Sequence, residues 1–141
     1  MKELLKLIAQ LKRRIMLMVG RCIVTAVNDD SGIQSMQIKL MNGEAKDDVE
    51  HFQDYGFTSV PHNDSEGVAV FVGGQRSHGL IIKVDNRSYR LKGLAAGEVA
   101  LYTDEDQQGH KHRIHFKRGG IIEVMEVQFL VKAATKTRIE D

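Results

Sequence analysis

The sequence predicts an all-β fold of short strands behind one short N-terminal helix. Three observations support this prediction. The 141 residues include 13 glycines and a single proline, and glycine permits the tight turns that join short strands. Segments with apolar residues at every second position recur along much of the chain, which is the pattern of strands with one buried face. Polar turn sequences such as Asn42-Gly43 separate these segments, so we expect a small closed barrel or a sandwich.

The N-terminal segment predicts an amphipathic helix from Lys2 to Ile15. Its apolar residues recur three or four positions apart and form one stripe; they are Leu4, Leu5, Ile8, Leu11 and Ile15. Five basic residues less one acidic residue give the segment a formal charge of +4. Such a helix docks onto a partner, caps a barrel, packs against other copies of the chain or lies on a membrane. Because the sequence has no apolar run long enough to span a bilayer, we expect docking or capping.

Strands are predicted after this helix at intervals of roughly ten residues. They are expected at residues 16–27, 33–41, 57–60, 67–72, 79–85 and 98–103. The acidic stretch 44–50 has no apolar residue before Val49, and we expect a loop there. The single cysteine, Cys22, lies in an apolar run and is expected to be a buried side chain in a protein folded in a reducing compartment.

The alternation resumes after the polar run 104–109. Apolar residues then fall at alternate positions in three short runs, which contain Ile114 and Phe116, then Ile122 and Val124, then Val127, Phe129 and Val131. Strands this short, with one apolar face and no later helix, cannot close a core within one chain. We therefore expect partners to cover them. The alternative is that this segment pairs back onto the barrel as an extra sheet edge.

No catalytic site is predicted. The sequence lacks a Gly-x-Ser-x-Gly elbow, a phosphate-binding Gly-x-x-x-x-Gly-Lys loop and a His-Glu-x-x-His motif. The carboxylates of Asp54, Glu66 and Glu98 are expected at turns or strand edges. His110-Lys111-His112, with His115 nearby, has a spacing that suits a late first-row metal. These histidines border a polar loop, so we expect solvated side chains, no metal, no cofactor and no enzymatic activity.

Charge and aromatic content leave a second function class open. The 20 basic residues nearly balance 19 acidic ones, whereas nucleic-acid modules are usually distinctly basic. Aromatic and basic residues could still serve an oligonucleotide- or saccharide-binding barrel; they are Phe52, Tyr55, Phe57, Tyr89, Tyr102, Arg76, Lys83, Arg87, Arg90 and Lys92. Asp85 lies among these cations and weakens the patch, so we expect no nucleic acid partner.

Four sequence phrases, in fixed order, resemble a known family. They are residues 53–61 (QDYGFTSVP), 73–76 (GGQR), 89–94 (YRLKGL) and 97–102 (GEVALY). In this order the phrases resemble the baseplate central spike proteins of Mu-like contractile-tailed phages, also called the baseplate assembly protein V family. Members of this family are trimeric spikes at the tip of the tail tube that pierce the host outer membrane. Their function is mechanical.

The resemblance implies an architecture of three parts. Residues 1–14 would form a docking helix, 15–104 an OB-type barrel, and 105–141 the start of a trimeric β-prism. The trimer interface would contain Ile122, Val124, Val127, Phe129 and Val131. Family members usually continue through a longer prism beyond the position of Asp141.

The resemblance also implies partners and a location. The expected partners are two further copies of the chain, the baseplate hub and, transiently, the host outer membrane. Hub docking is expected at the helix face of Leu4, Ile8 and Leu11. The protein would assemble in the host cytoplasm and reside in the tail baseplate of the virion. A hub or adaptor ring without a piercing role is a further alternative.

Overall fold

The computed structural model describes residues 1–107, 111–126, 128, 130 and 132. The chain divides into two units between Ser88 and Tyr89. The first unit contains α1 (Lys2–Met16), β1 (Val19–Asn28), β2 (Ser35–Leu40), β3 (Ala45–His51), β4 (Glu66–Phe71) and β5 (Gly79–Asp85). The second contains β6 (Val99–Tyr102), β7 (Arg113–Lys117) and β8 (Ile121–Met125). In the described part of the chain, no helix is long and apolar enough to cross a membrane.

Strands β1 to β5 form a closed barrel in the order β1-β2-β3-β5-β4, with β4 returning to β1. Neighbouring strands are antiparallel except β3 and β5, which run parallel. A small five-stranded barrel of this kind has the OB-type architecture. The all-β prediction with a short N-terminal helix and an OB-type barrel is therefore confirmed.

The alternation within the strands produces the barrel core. In β2 the side chains of Met36, Ile38 and Leu40 are buried while Gln37 and Lys39 are exposed. The other buried apolar residues are Cys22, Val24, Val49, Ala69, Phe71 and Ile81. Burial also raises the pKa of the Cys22 thiol, which disfavours the thiolate, as expected for a structural cysteine.

Two local predictions for the barrel are wrong. The stretch expected to be an acidic loop, 44–50, is largely strand β3, in which Val49 and His51 face the core and the charged residues face solvent. The expected strand 57–60 lies instead in the loop between β3 and β4. That loop turns at Gly56, which has a φ of 86°, and the Gln53 side chain ties it by accepting the backbone N–H of Ser59 at 2.8 Å.

The second unit is a three-stranded antiparallel sheet in the order β6-β7-β8. The resemblance places residues up to 104 in the barrel, whereas β6 pairs with β7. The β7–β8 hairpin turns through Gly119 and Gly120, whose φ values are 81° and 75°; side chains with a Cβ rarely adopt this conformation. Among the described residues of this unit, only His115 is buried.

Candidate assembly face

The sheet of the second unit carries two rows of apolar side chains on one face. Strand register places Val99 opposite Phe116 and Phe116 opposite Ile122. It likewise aligns Leu101, Ile114 and Val124 across the three strands. Because side chains two positions apart point to the same face of a strand, both rows share one side of the sheet. We call these six residues the assembly face.

The assembly face is uncovered in the single chain. Its six side chains are between 38% and 63% exposed, with Ile114 at the low end and Ile122 at the high end. Leu130, a described residue beyond β8, is also exposed. A contiguous apolar patch of this kind marks an interaction surface, because each large aliphatic side chain gains about 1.5–3 kcal/mol when it is fully buried.

The opposite face of the same sheet carries paired polar side chains, together with the exposed Ile121 and Tyr102. His115 Nε2 lies 3.1 Å from Glu98 Oε2, and Lys117 pairs with Glu123 at 2.6 Å. Arg113 donates to the nearly buried carboxylate of Asp106 at 3.1 Å. The sheet is therefore amphipathic, and the apolar side is the one that needs a cover.

Glu98 anchors this polar face at the start of β6. Its carboxylate accepts the backbone N–H groups of Ala95 at 3.0 Å and of Arg118 at 3.2 Å. These two backbone hydrogen bonds, followed by the bond from His115, hold the pKa of Glu98 below its ordinary value. The ionised carboxylate thus joins the entry of β6 to the turn after β7.

Two of the five residues predicted for the trimer interface, Ile122 and Val124, lie on the assembly face. The other three, Val127, Phe129 and Val131, lie outside the described residues. The remaining members of the face are not among the residues predicted for the interface; they are Val99, Leu101, Ile114 and Phe116. The alternation signal was visible in β6 and β7, but the sequence did not reveal that β6 leaves the barrel to join this sheet.

Helix α1 presents the residues predicted to dock to a hub. Leu4, Ile8 and Leu11 lie on one face and each is more than half exposed. The helix buries none of its residues. Its last turn approaches the barrel at Gly74, where an added Cβ would lie 2.5 Å from the carbonyl oxygen of Arg14.

The amino-acid sequence is similar to those of known proteins. Residues 21–88, which cover the barrel, match the family described as "Bacteriophage Mu Gp45, N-terminal". The chain is 44% identical over 114 residues to the Mu-like prophage FluMu protein gp45 of Haemophilus influenzae, a match covering 81% of this chain and 60% of that protein. The chain belongs to the Mu Gp45 family.

A second member of the Mu Gp45 family bears a descriptive name. The chain is 37% identical over 109 residues to the baseplate puncturing device gp45 of Escherichia phage Mu, covering 77% of this chain and 54% of that protein. The matched regions thus span less than two thirds of the length of either relative.

The histidines considered as metal ligands have other partners in this Mu Gp45 family member. His115, expected to be solvated, is instead buried and faces Glu98 on the polar side of the sheet. His112 Nδ1 lies 2.5 Å from Thr103 Oγ1, and its Nε2 lies 2.7 Å from Glu126. His110 lies outside the described residues. No group of three or more potential metal ligands occurs within the part of the chain that the structure describes.

Most cations considered for nucleic-acid binding are engaged by carboxylates of the first unit. The pairs are Arg76 with Glu44 (3.5 Å), Lys83 with Asp54 (3.6 Å) and Arg87 with Glu66. Arg76 also stacks on the ring of Phe71, 4.4 Å from its centroid. The positive charge of these three residues is therefore largely offset, which does not favour a polyanion site. The prediction of turn and strand-edge positions agrees with the structure: Asp54 lies in a turn, Glu66 begins β4 and Glu98 immediately precedes β6.

Proposed function

We propose that the chain is a structural component of a phage tail baseplate and that three copies associate through the assembly face. One observation carries the proposal: six exposed apolar side chains line one face of a sheet that has no apolar core of its own among its described residues. Copies of the same sheet packed around a common axis supply the missing cover. The family resemblance favours three copies.

The mechanical role follows from this arrangement. Sheets whose apolar faces meet at a shared axis form a stiff body, because bending it disturbs many backbone hydrogen bonds at once. Such a body transmits force when a tail contracts, and the puncturing role stated in the name of the phage Mu relative supports a part in crossing the host outer membrane. No bond is made or broken in this function. Assembly in the host cytoplasm precedes incorporation into the tail.

The interface extends along the remaining alternating residues. Val127, Phe129 and Val131 continue the pattern of Ile122 and Val124 in the sequence, and we propose that they line the same axis. Helix α1 attaches the trimer to the baseplate hub through Leu4, Ile8 and Leu11. In this proposal residues 1–14 serve docking and the second sheet serves piercing, and the barrel lies between them in the sequence.

The native mass of an interface variant tests the proposal. Ile122→Asp places three carboxylates at the shared apolar contact, where an unpaired charge is strongly unfavourable. Light scattering after size exclusion is expected to give about three times the 15.9 kDa chain mass for the unchanged protein and a smaller or aggregated species for the variant. Met41→Asp is the matched control, because Met41 is an exposed apolar residue of a barrel turn.

Two results of this measurement would contradict the proposal. A monomeric unchanged protein, or a trimeric Ile122→Asp variant, would contradict assembly through this face. A monomer would instead direct attention to oligonucleotide and glycan binding by the barrel, which glycan and oligonucleotide arrays would then measure.

A further inference from the structure

We infer that α1 docks into an apolar groove on a different protein and that carboxylates line the rim of that groove. The inference rests on the proposed baseplate role, since it names the chemistry of the hub surface that the helix meets. It is carried by the spacing, exposure and charge of residues within α1.

The apolar seam of α1 has coiled-coil spacing. Leu4, Ile8, Leu11 and Ile15 are separated by four, three and four positions, which places them on one line along the helix. These four side chains are between 52% and 58% exposed. A helix of 15 residues is marginal without a partner, so this seam requires a cover.

The width of the seam changes along the helix. Leu5 and Leu7 flank it in the first half, whereas Lys12 and Arg14 occupy the equivalent flanking positions in the second half. At 100° per residue, each of these four side chains lies at the edge of the seam. The surface that fits α1 is therefore a groove, broad and apolar at one end and bordered by negative charge at the other.

Charge argues against copies of α1 as the cover. In a parallel bundle around a trimer axis, a given residue of every copy lies at the same height, so Lys12 and Arg14, which flank the seam, would be brought together from each chain. Like charges at neighbouring positions oppose association. The acidic residue of α1 is Glu3, at the other end of the helix and paired with Lys6 at 3.4 Å, so it offers no compensation.

The composition of the seam favours a protein over a lipid surface. Helices that lie in the membrane interface commonly carry aromatic residues on the apolar face, and α1 has none. Its seam is narrow where the cations flank it, which suits a groove with walls. A heterologous, acid-rimmed groove accounts for both the apolar line and the charges beside it.

A designed peptide tests this inference with the full chain. The probe is a synthetic helix with leucine along one seam and glutamate at both flanking positions. The control has the same composition but its leucines are rearranged so that they form no seam. Fluorescence anisotropy is expected to show binding of the probe at least about tenfold tighter than the control. If the two peptides bind with equal affinity, their shared charge would account for the binding without the leucine seam, and the inference would be overturned.

Charge-swap variants sharpen the test. The double substitution Lys12→Glu and Arg14→Glu is expected to weaken the affinity for the probe about tenfold, because it removes two exposed ion pairs with the probe's glutamates. The same double variant is expected to prefer a probe with lysine in place of the flanking glutamates. Arg13→Glu on the opposite side of the helix is the matched control and is expected to have a smaller effect. An effect of Arg13→Glu equal to that of the double variant would contradict a defined rim.

Further measurements distinguish a different protein from a second copy of the chain or a lipid surface as the partner of α1. They also distinguish helix docking from trimer formation. Ile8→Asp is expected to leave the native mass unchanged, and a fall in mass would assign the seam to contacts between copies. Vesicles of phosphatidylcholine and phosphatidylglycerol are expected not to bind the chain, and binding to them without binding to the probe would assign α1 to a lipid surface. The Ile122→Asp variant is expected to bind the probe as the unchanged chain does, so failure of the trimer and failure of the helix docking are distinguishable.

Discussion

The carbonyl oxygen of Arg14 lies against Gly74, so that a Cβ at position 74 would approach it to 2.5 Å. Gly74 has a φ of 71° in the turn after β4. The close approach and the positive φ both require glycine. This contact fixes how the last turn of α1 meets the barrel.

Gly74→Ala is expected to displace the end of α1. The added methyl group meets backbone atoms of Arg14, which cannot rotate away as a side chain would. Gly73→Ala is the matched control, since Gly73 also has a positive φ, 61°, but has no atom within 4 Å of its added Cβ. Backbone strain is expected to lower the free energy of unfolding of the control by about 1 kcal/mol. Gly74→Ala is expected to lower it further, and trypsin is expected to cleave this variant faster after Lys12, Arg13 and Arg14. Equal cleavage rates for the two variants would contradict the contact.

Phe71 is expected to dominate the stability of the barrel. Its side chain is fully buried and its ring lies under the Arg76 guanidinium. Phe71→Ala is expected to lower the free energy of unfolding by about 3–5 kcal/mol, and Arg76→Ala by about 1 kcal/mol. Urea unfolding measures both. Tyr55→Ala, at a fully exposed ring, is expected to change stability by less than about 0.5 kcal/mol; a larger effect there would indicate that Tyr55 has a partner.

The barrel was largely predictable because most of its strands bury alternate residues. The alternation of Met36, Ile38 and Leu40 is sufficient to predict β2. Strand β3 was not predictable in the same way, since its buried residues are Val49 and the polar His51. Apolar alternation cannot detect a strand whose buried side holds a single apolar residue beside a polar one.

The assembly face was predictable only in part, for a different reason. Ile122 and Val124 show their common side through local spacing. Their neighbours across the sheet depend on pairing between β6 and β7, which are separated by the polar segment after Tyr102. Alternation within each strand shows which of its side chains share a face, but it does not show which distant strand will be the neighbour.

Glu98 is expected to stabilise the second sheet only when ionised. Its lowered pKa means that the folded form favours the carboxylate, so this stability is present above the ordinary value of 4.5 and is lost as pH falls through the folded value. Glu98→Gln should lower the thermal midpoint at pH 7, and the difference from the unchanged protein should shrink on acidification. The matched control is Glu50→Gln, at an exposed residue of β3. A difference between Glu98→Gln and the unchanged protein that is constant with pH would contradict a role for the charge.

His51 is expected to make the barrel less stable in mild acid. Gln34 donates from Nε2 to Asp29 at 2.6 Å and to the Ser59 carbonyl at 3.1 Å, so its Oε1 must accept from His51 Nδ1 at 2.7 Å. This network joins the loop before β2 to the loop after β3.

Burial lowers the pKa of His51 below 6.5, and the unfolded chain therefore takes up the proton first as pH falls. The resulting stability is complete above about 6.5 and is lost as pH falls through the folded value. His51→Gln keeps a neutral donor for Gln34 and is expected to flatten the decline in unfolding free energy between about pH 7 and 5, while the control His78→Gln, at an exposed residue, keeps the slope. An unchanged slope in His51→Gln would assign the acid sensitivity to other groups.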